Sequence, residues 1–319
     1  MVTLQDIREA QQRLSGVTVH TELREWSPAQ SGESKLYLKL ENQQPIGAFK
    51  LRGAYNKIAS LSEQERKRGV ITYSSGNHAQ GVAYAARALG TKAVIVMPNN
   101  APPIKKEATA ALGAEIILVG PASAERQIKA EELAAQYGYV MVPPFNDEKI
   151  IAGQGTIGLE ILEDLPGVEL VLAPVGGGGL LSGTATAIKA SKPSVKVIGV
   201  EPELSSDARA SFKKGEIVQI SGEDASRTIA DGLRTQSIGP INFEHFRRYV
   251  DDIITVSEEE IEEATRHLSA EKATTAEPSG AVTVAGFLFH KQQLPNTNVN
   301  VAVISGGNID PKLLAHLRS

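Results

Sequence analysis

Between Val70 and Val142 short apolar runs alternate with longer segments of helical character. The runs are Val70-Ile71-Thr72-Tyr73, Ala93-Val94-Ile95-Val96-Met97, Glu115-Ile116-Ile117-Leu118-Val119 and Tyr139-Val140-Met141-Val142. They are short and rich in β-branched residues, which predicts strands. The segments between them, about 77–89, 103–112 and 124–137, close on Gly90, Gly113 and Gly138. Glycine just past the last turn is a common helix stop. Ser62-Glu63-Gln64-Glu65 has the spacing of a capping box and predicts the start of the helix leading into this unit. A second set begins with the apolar run Leu170–Val175, followed by a helix over 180–188 and a strand over 195–200. Asp252–Val256 reads as a strand, Ser257-Glu258-Glu259-Glu260 as a helix start, and Asn300–Ile304 as a last buried strand. Strand–helix alternation predicts an α/β fold of two domains. Each has an open, mostly parallel twisted sheet flanked by helices, with ligand in the crevice at the strand carboxyl ends.

Composition narrows the function classes. The 319 residues suffice for two domains, and 41% hydrophobic with 22% charged residues is ordinary for a globular protein. No apolar stretch is long enough to cross a bilayer. Met1–Asp6 has no basic start before an apolar run, so a cytoplasmic location is expected. With no cysteine, disulfides, thiolate metal sites and a cysteine nucleophile are excluded. A net charge of -4 gives no footprint for nucleic acid and no attraction to an anionic membrane.

Four consecutive glycines, Gly176, Gly177, Gly178 and Gly179, follow the strand at Leu170–Val175 and precede the helix that begins near Leu180. Glycines allow close backbone approach, and a helix N-terminus offers free N–H groups and a favourable dipole to an anion. A ligand-free tight turn is the plain alternative. No Gly-Lys-Ser/Thr follows, so this is not a P-loop. Gly153-Gln154-Gly155-Thr156-Ile157-Gly158 matches G-x-G-x-x-G formally. The next strand ends without an acid for a ribose hydroxyl, so close helix packing is expected there instead. What remains is a compact monophosphate held by backbone amides. Pyridoxal phosphate is such a ligand, and it needs an amine. Lys50, in Gly47-Ala48-Phe49-Lys50-Leu51-Arg52-Gly53, is the candidate. A confined lysine has a lowered pKa and forms Schiff bases, although most lysines are solvated surface groups. Ser74-Ser75-Gly76-Asn77-His78 lies where a strand turns into a helix and suits a substrate carboxylate. A simple helix cap is the alternative. Ser305-Gly306-Gly307-Asn308 reads equally as an ordinary turn.

Together, and in this order, these segments resemble the fold-type II (tryptophan synthase β-like) pyridoxal-phosphate enzymes. The serine/threonine dehydratase and serine racemase group is the most similar. The resemblance runs from about Thr3 to Asp310. It implies a large cofactor domain over 1–62 and 148–319 and a small substrate-carboxylate domain over 63–147. It implies that Lys50 bonds the cofactor and then acts as base at the α-carbon, with Phe49 beside the ring and Asn77 on the 3'-oxygen. Gly176 to Gly179 with Leu180 would cradle the phosphate, Ser305 would meet the pyridine nitrogen, and Gly232 and Glu277 would line the pocket. Ser74, Ser75, Gly76, Asn77 and His78 would hold the substrate carboxylate. The neutral Ser305 hydroxyl makes the ring a weaker electron sink, which suits β-elimination. The implied reaction converts L-serine or L-threonine to a 2-oxo acid and ammonia. The cofactor phosphate would serve as proton donor to the leaving hydroxyl.

Within that group Ser75 stands where short degradative threonine dehydratases have alanine. Serine racemases and hydroxyaspartate dehydratases have serine there, and in racemases its hydroxyl is the second acid/base. Racemase side activity is therefore expected to be accessible, and a serine racemase or threo-3-hydroxyaspartate ammonia-lyase is the alternative. A non-catalytic phosphate-ligand binding protein is the alternative of a different class. Glu201-Pro202-Glu203-Leu204-Ser205-Ser206-Asp207 matches the racemase cation site. Glu201, Asp207 and the Ser205 carbonyl would hold Mg²⁺, Ca²⁺ or Mn²⁺, hard cations that take oxygen ligands. An acidic loop after a strand is also commonly just solvated. Ala48 replaces the family's usual serine, and Gln44-Pro45-Ile46 precedes it, which weakens the case for nucleotide activation. Pro144-Phe145-Asn146 is closer to dehydratases than to animal racemases. The chain ends soon after Ser305, so an isoleucine-binding control module is not expected. A homodimer is what the family implies.

Overall fold

Leu170 and Leu172 face one apolar cluster while Val171 and Ala173 face another. This two-sided burial explains why the run is apolar throughout instead of alternating. A computed structural model describes residues 1–26, 34–74, 76–101, 103–120 and 123–318. Among these described residues it places ten strands in two sheets. They are β1 (Leu23–Trp26), β2 (Lys35–Leu40), β3 (Val70–Tyr73), β4 (Ala93–Pro98), β5 (Glu115–Val119), β6 (Val140–Met141), β7 (Leu170–Pro174), β8 (Lys196–Pro202), β9 (Asp252–Val256) and β10 (Val299–Ile304). The larger sheet has the order β1-β2-β10-β7-β8-β9, parallel except for the β1–β2 pair. The smaller sheet, β5-β4-β3-β6, is parallel throughout.

Each predicted strand is present, and the capping box at Ser62 and Glu65 forms at the start of helix Glu63–Arg68. The pattern does not announce β1 and β2. β2 reads Lys-Leu-Tyr-Leu-Lys-Leu, and its Lys39 is fully buried. The lysine is tolerated because Nζ lies 2.7 Å from Glu160 and donates to the Thr21 carbonyl at 2.7 Å. Arg52 is buried beside it, forked between Glu41 and Glu160. Burial opposes its charge, but the two carboxylates outweigh it and hold the guanidinium protonated.

Gly153, Gly155 and Gly158 lie inside helix Glu148–Asp164 and not in a turn between a strand and a helix. A Cβ on Gly153 would stand 2.6 Å from the Arg52 carbonyl oxygen, and one on Gly155 2.9 Å from that of Gly183. One on Gly158 would stand 2.9 Å from the Ala187 Cβ. The motif is therefore a packing surface against helices Lys50–Ala59 and Gly179–Ser191. Helix Lys50–Ala59 in turn gives Ala54 and Ile58 to the small sheet's core. It thus lies between the two sheets, with Lys50 at its first position.

Candidate active site

β7 and β10 are parallel neighbours, so the turns after them share one edge of the sheet. After β7 the glycine turn enters helix Gly179–Ser191. Gly178 is its N-cap, in the left-handed region at φ 97°, and no side chain caps the helix. The first-turn N–H groups are thus available to an anion. A Cβ on Gly177 would fall 2.2 Å from the nearest Phe145 ring atom, so any larger residue there would have to displace that ring. Leu180 is buried behind the turn.

After β10 the chain carries Ser305 against the Lys50 loop. The Phe49 N–H donates to the Ser305 carbonyl at 3.0 Å, the Gly307 N–H donates to that of Gly47 at 2.9 Å, and Ala48 bridges Gly306. Ser305 itself is buried, its hydroxyl 3.5 Å from the Ser279 carbonyl. Lys50 is only partly accessible. Its Nζ donates to the Pro144 carbonyl at 2.8 Å and lies 5.1 Å from the Phe49 ring centroid. Burial lowers its pKa to about 8.

Asn77 opens helix Asn77–Ala88, which belongs to the small sheet, yet its side chain is gripped from the large one. Nδ2 donates to Glu277 Oε1 at 2.6 Å, and Oδ1 accepts from Asn308 Nδ2 at 2.7 Å. Glu277 is buried, and burial, with the nearby Asp231 charge, raises its pKa to about 7. The Gly232 N–H donates to the Ser279 hydroxyl at 2.8 Å. A Cβ on Gly176 would come 3.5 Å from the Gly232 carbonyl oxygen, so the two turns meet.

Ser74 Oγ accepts the Gly76 N–H at 3.3 Å, and Gly76 is the uncapped N-cap of the Asn77 helix. Ser75 lies outside the described residues. The His78 ring turns away from the helix start. Its Nε2 donates to the Val142 carbonyl at 2.9 Å, and burial, then the Lys50 charge, pushes its pKa down to about 3. The imidazole is therefore neutral, and the expected part of His78 in holding a carboxylate narrows to its backbone N–H.

Glu201 ends β8 one strand further along, with Ser205 and Asp207 in the turn beyond it. Both carboxylates are buried. Glu201 accepts the Arg209 N–H at 2.6 Å and the Ala208 N–H at 3.3 Å, whereas neither Asp207 oxygen has a hydrogen-bond partner. Burial, with the Asp207 charge adding, pushes Glu201 well up, and burial raises Asp207 to about 7. Ser205 Oγ donates to the Leu233 carbonyl at 3.1 Å, which ties this turn to the Gly232 segment.

Residues 14–306 match the protein family described as pyridoxal-phosphate dependent enzyme. The chain belongs to that family. Among its relatives, an L-threonine ammonia-lyase of Thermotoga maritima is 48% identical over 98% of this chain and 77% of that one. An L-threo-3-hydroxyaspartate ammonia-lyase of Saccharomyces cerevisiae is 42% identical over 90% of this chain and 86% of its own. The structure of maize serine racemase superimposes with a TM-score of 0.93 at 35% identity, covering 99% of this chain and 96% of the other. As in other members of the family, the fold is α/β with parallel-dominated sheets.

The residues fit the family's cofactor. A partly shielded amine of lowered pKa suits its aldehyde, an uncapped glycine turn its phosphate, a neutral buried hydroxyl its ring nitrogen, and a side-chain amide its ring oxygen. The expected residues Lys50, Phe49, Asn77, Gly176–Gly179, Gly232, Glu277 and Ser305 converge through this chain of contacts. Glu201, Ser205 and Asp207 form a separate cluster. Sequence reasoning does not single out Asn308 and Pro144 as site residues. Both act through polar contacts across long separations, Asn308 to Asn77 and the Pro144 carbonyl to Lys50. The only available signal was their place in segments already noted, the turn after β10 and Pro144-Phe145-Asn146.

Proposed function

We propose that this chain removes water from L-threonine or L-serine, giving a 2-oxo acid and ammonia, with racemisation as a side reaction at Ser75. The carrying observation is Lys50: an amine partly shielded by protein, lowered to about 8, with one N–H fixed on a main-chain oxygen. Its near-neutral pKa suits taking a proton from Cα and returning it. Bound pyridoxal phosphate supplies an aldehyde to capture the substrate amine and a conjugated ring to delocalise the charge left at Cα. Backbone N–H groups of Gly176–Gly179 and Leu180 hold the phosphate, and the first N–H groups of helix Asn77–Ala88, with Ser74 and Ser75, hold the substrate carboxylate. Asn77 would bind the ring oxygen, Phe49, Gly232 and Glu277 would wall the ring, and Ser305 would meet its nitrogen as a neutral hydrogen-bonding partner, without the negative charge that would hold that nitrogen protonated. Residues 63–147 act as the small domain presenting the carboxylate site, and the enzyme works as a cytoplasmic homodimer.

Glu201, Asp207 and the Ser205 carbonyl hold a divalent cation, Mg²⁺, Ca²⁺ or Mn²⁺, with water completing the shell. The support is a buried carboxylate with both oxygens unpartnered beside a second buried carboxylate, an arrangement costly without a cation. Among the described residues no group of three or more His, Cys, Asp or Glu is positioned for a metal, so main-chain oxygen and water are needed.

The test is a panel of L- and D-serine, L- and D-threonine and threo-3-hydroxyaspartate, assayed for 2-oxo acid and for chirality. L-Threonine or L-serine elimination should dominate, and Ser75→Ala should spare it while removing racemisation and action on D-substrates. Dominant turnover of hydroxyaspartate would instead favour the activity named for the yeast relative. Equal loss of L- and D-reactions in Ser75→Ala would contradict the division of labour.

A further inference from the structure

The carbonyl that holds the Lys50 amine belongs to a segment with its own anchorage. Pro144 lies between β6 and helix Glu148–Asp164, 94 residues from Lys50 in sequence. Its neighbour Phe145 is pressed against the four-glycine turn. A Cβ on Gly177 would stand 2.2–2.3 Å from three Phe145 ring atoms, and one on Gly179 would stand 3.2 Å from the Phe145 Cα and Cβ. The ring thus occupies the room that the missing side chain of Gly177 leaves, and the Phe145 Cα and Cβ lie close over Gly179. The segment is pinned on its far side as well. Asn146 Oδ1 accepts the Ile241 N–H at 3.0 Å, and the Gly239 N–H donates to the Gly177 carbonyl at 3.1 Å. Asp147 caps helix Glu148–Asp164 and accepts from Lys57 Nζ at 2.6 Å. Helix Lys50–Ala59 is therefore tied to this one segment through Lys50 and again through Lys57.

We propose that Phe145 is a positioning residue: wedged against Gly177 and Gly179, it sets the Pro144 carbonyl as the docking acceptor for the Lys50 amine whenever that amine is free. The inference rests on Lys50 being the cofactor-bonding amine and base. A carbonyl oxygen only accepts, so it takes one N–H and leaves the lone pair of a neutral amine for the proton or the aldehyde. A lysine has a flexible stem, and without such an anchor its amine spreads over several rotamers. The same wedge makes the distance between the phosphate turn and the amine a fixed quantity, which is what a base acting on a bound substrate requires. Conversely, a shift of the ring moves both at once.

The experiment compares Phe145→Ala and Phe145→Leu in the full-length holoenzyme with L-threonine and with L-threonine deuterated at Cα. Phe145→Ala is expected to lower kcat on the order of 10²-fold, the usual effect of a misplacement of about 1 Å, with KM little changed. Its isotope effect on kcat should rise, because proton removal becomes the slow step. After a limiting pulse of substrate the cofactor's visible band should return more slowly. Phe145→Leu, which refills the wedge, should recover most of all three. Parental kcat, isotope effect and band recovery in Phe145→Ala would overturn the proposal, as would equal losses in both variants with an unchanged isotope effect. Should Phe145→Ala fail to fold, Phe145→Val against Phe145→Leu carries the comparison. Graded slowing with rising isotope effect supports the wedge, and parental behaviour in both overturns it. Lys50→Ala separates the two levels. A visible band that survives it sinks the functional reading and this proposal together, whereas a Lys50-dependent band with indifferent Phe145 variants sinks the wedge alone.

Discussion

The lowered pKa of Lys50 makes a rate prediction that needs no substrate. Only a neutral amine attacks an aldehyde. Protein around Lys50 lowers its pKa from 10.5 to about 8. At pH 7.5 the neutral fraction is then about one quarter, against about one in a thousand for an unperturbed lysine, a gain of about 240-fold in reactive amine. The perturbation is pH itself, applied to the full-length chain after its cofactor has been removed by dialysis. On mixing with pyridoxal phosphate, the rate at which the visible band appears should rise about tenfold per pH unit below about 8 and level off above it. The neutral His78 ring beside Lys50 adds no positive charge across this range, since its own pKa is about 3. Stability carries the same signature. Between about 8 and 10.5 the unfolded chain binds a proton at this lysine that the folded chain refuses, so the cofactor-free fold gains stability as pH rises through that window. A rate that climbs steadily through pH 10 would refute the reasoning, because it would mean the amine is solvated.

Arg52→Ala leaves Glu41 and Glu160 buried without their fork, and should destabilise the fold by about 3–5 kcal/mol, read as a fall in urea midpoint at unchanged slope. Arg52→Lys should restore only part, since one ammonium cannot make both bidentate contacts, and equal stability of all three proteins would show that water reaches the cluster. His245 is buried, with Nε2 accepting the Val2 N–H at 3.1 Å, and burial lowers its pKa to about 4. The unfolded chain therefore takes up a proton first as pH falls from the ordinary 6.5, and stability should drop between about 6.5 and 4 and then flatten. His245→Gln should flatten that part of the melting-temperature profile, and an unchanged slope would assign it elsewhere. Chelation should lower the melting temperature and Mg²⁺ should restore it. Asp207→Asn should abolish the difference between the two conditions, and a persistent difference would move the cation to another site.

The strands were legible where burial is two-sided or where a run is bounded by turns, as at Leu170–Pro174 and Ala93–Pro98. β2 was not, because Lys39 looks like a surface residue until Glu160, far along the chain, supplies its charge partner. Arg52 is hidden for the same reason: its burial depends on Glu41 and Glu160 arriving from two other elements. The glycine turn after β7 and the helix start at Lys50 were legible as places in the fold, because glycine runs and helix starts restrict residue type locally. His78 was legible by position but not by orientation, since its bond to Val142 depends on which neighbour the small sheet supplies. Phe145 illustrates the limit most clearly. Nothing in an isolated phenylalanine says that the space its ring fills was vacated by a glycine 32 positions later.

Asn77 carries a consequence for the coupling of the two sheets. Its amide is held on one side by Glu277 and on the other by Asn308, while its backbone starts a helix of the opposite sheet. A displacement of the small sheet that carried Asn77 away from the large one would stretch both of these hydrogen bonds at once. The residue expected on the ring oxygen is thus also one whose side chain couples the two sheets, and loosening it should be felt in both.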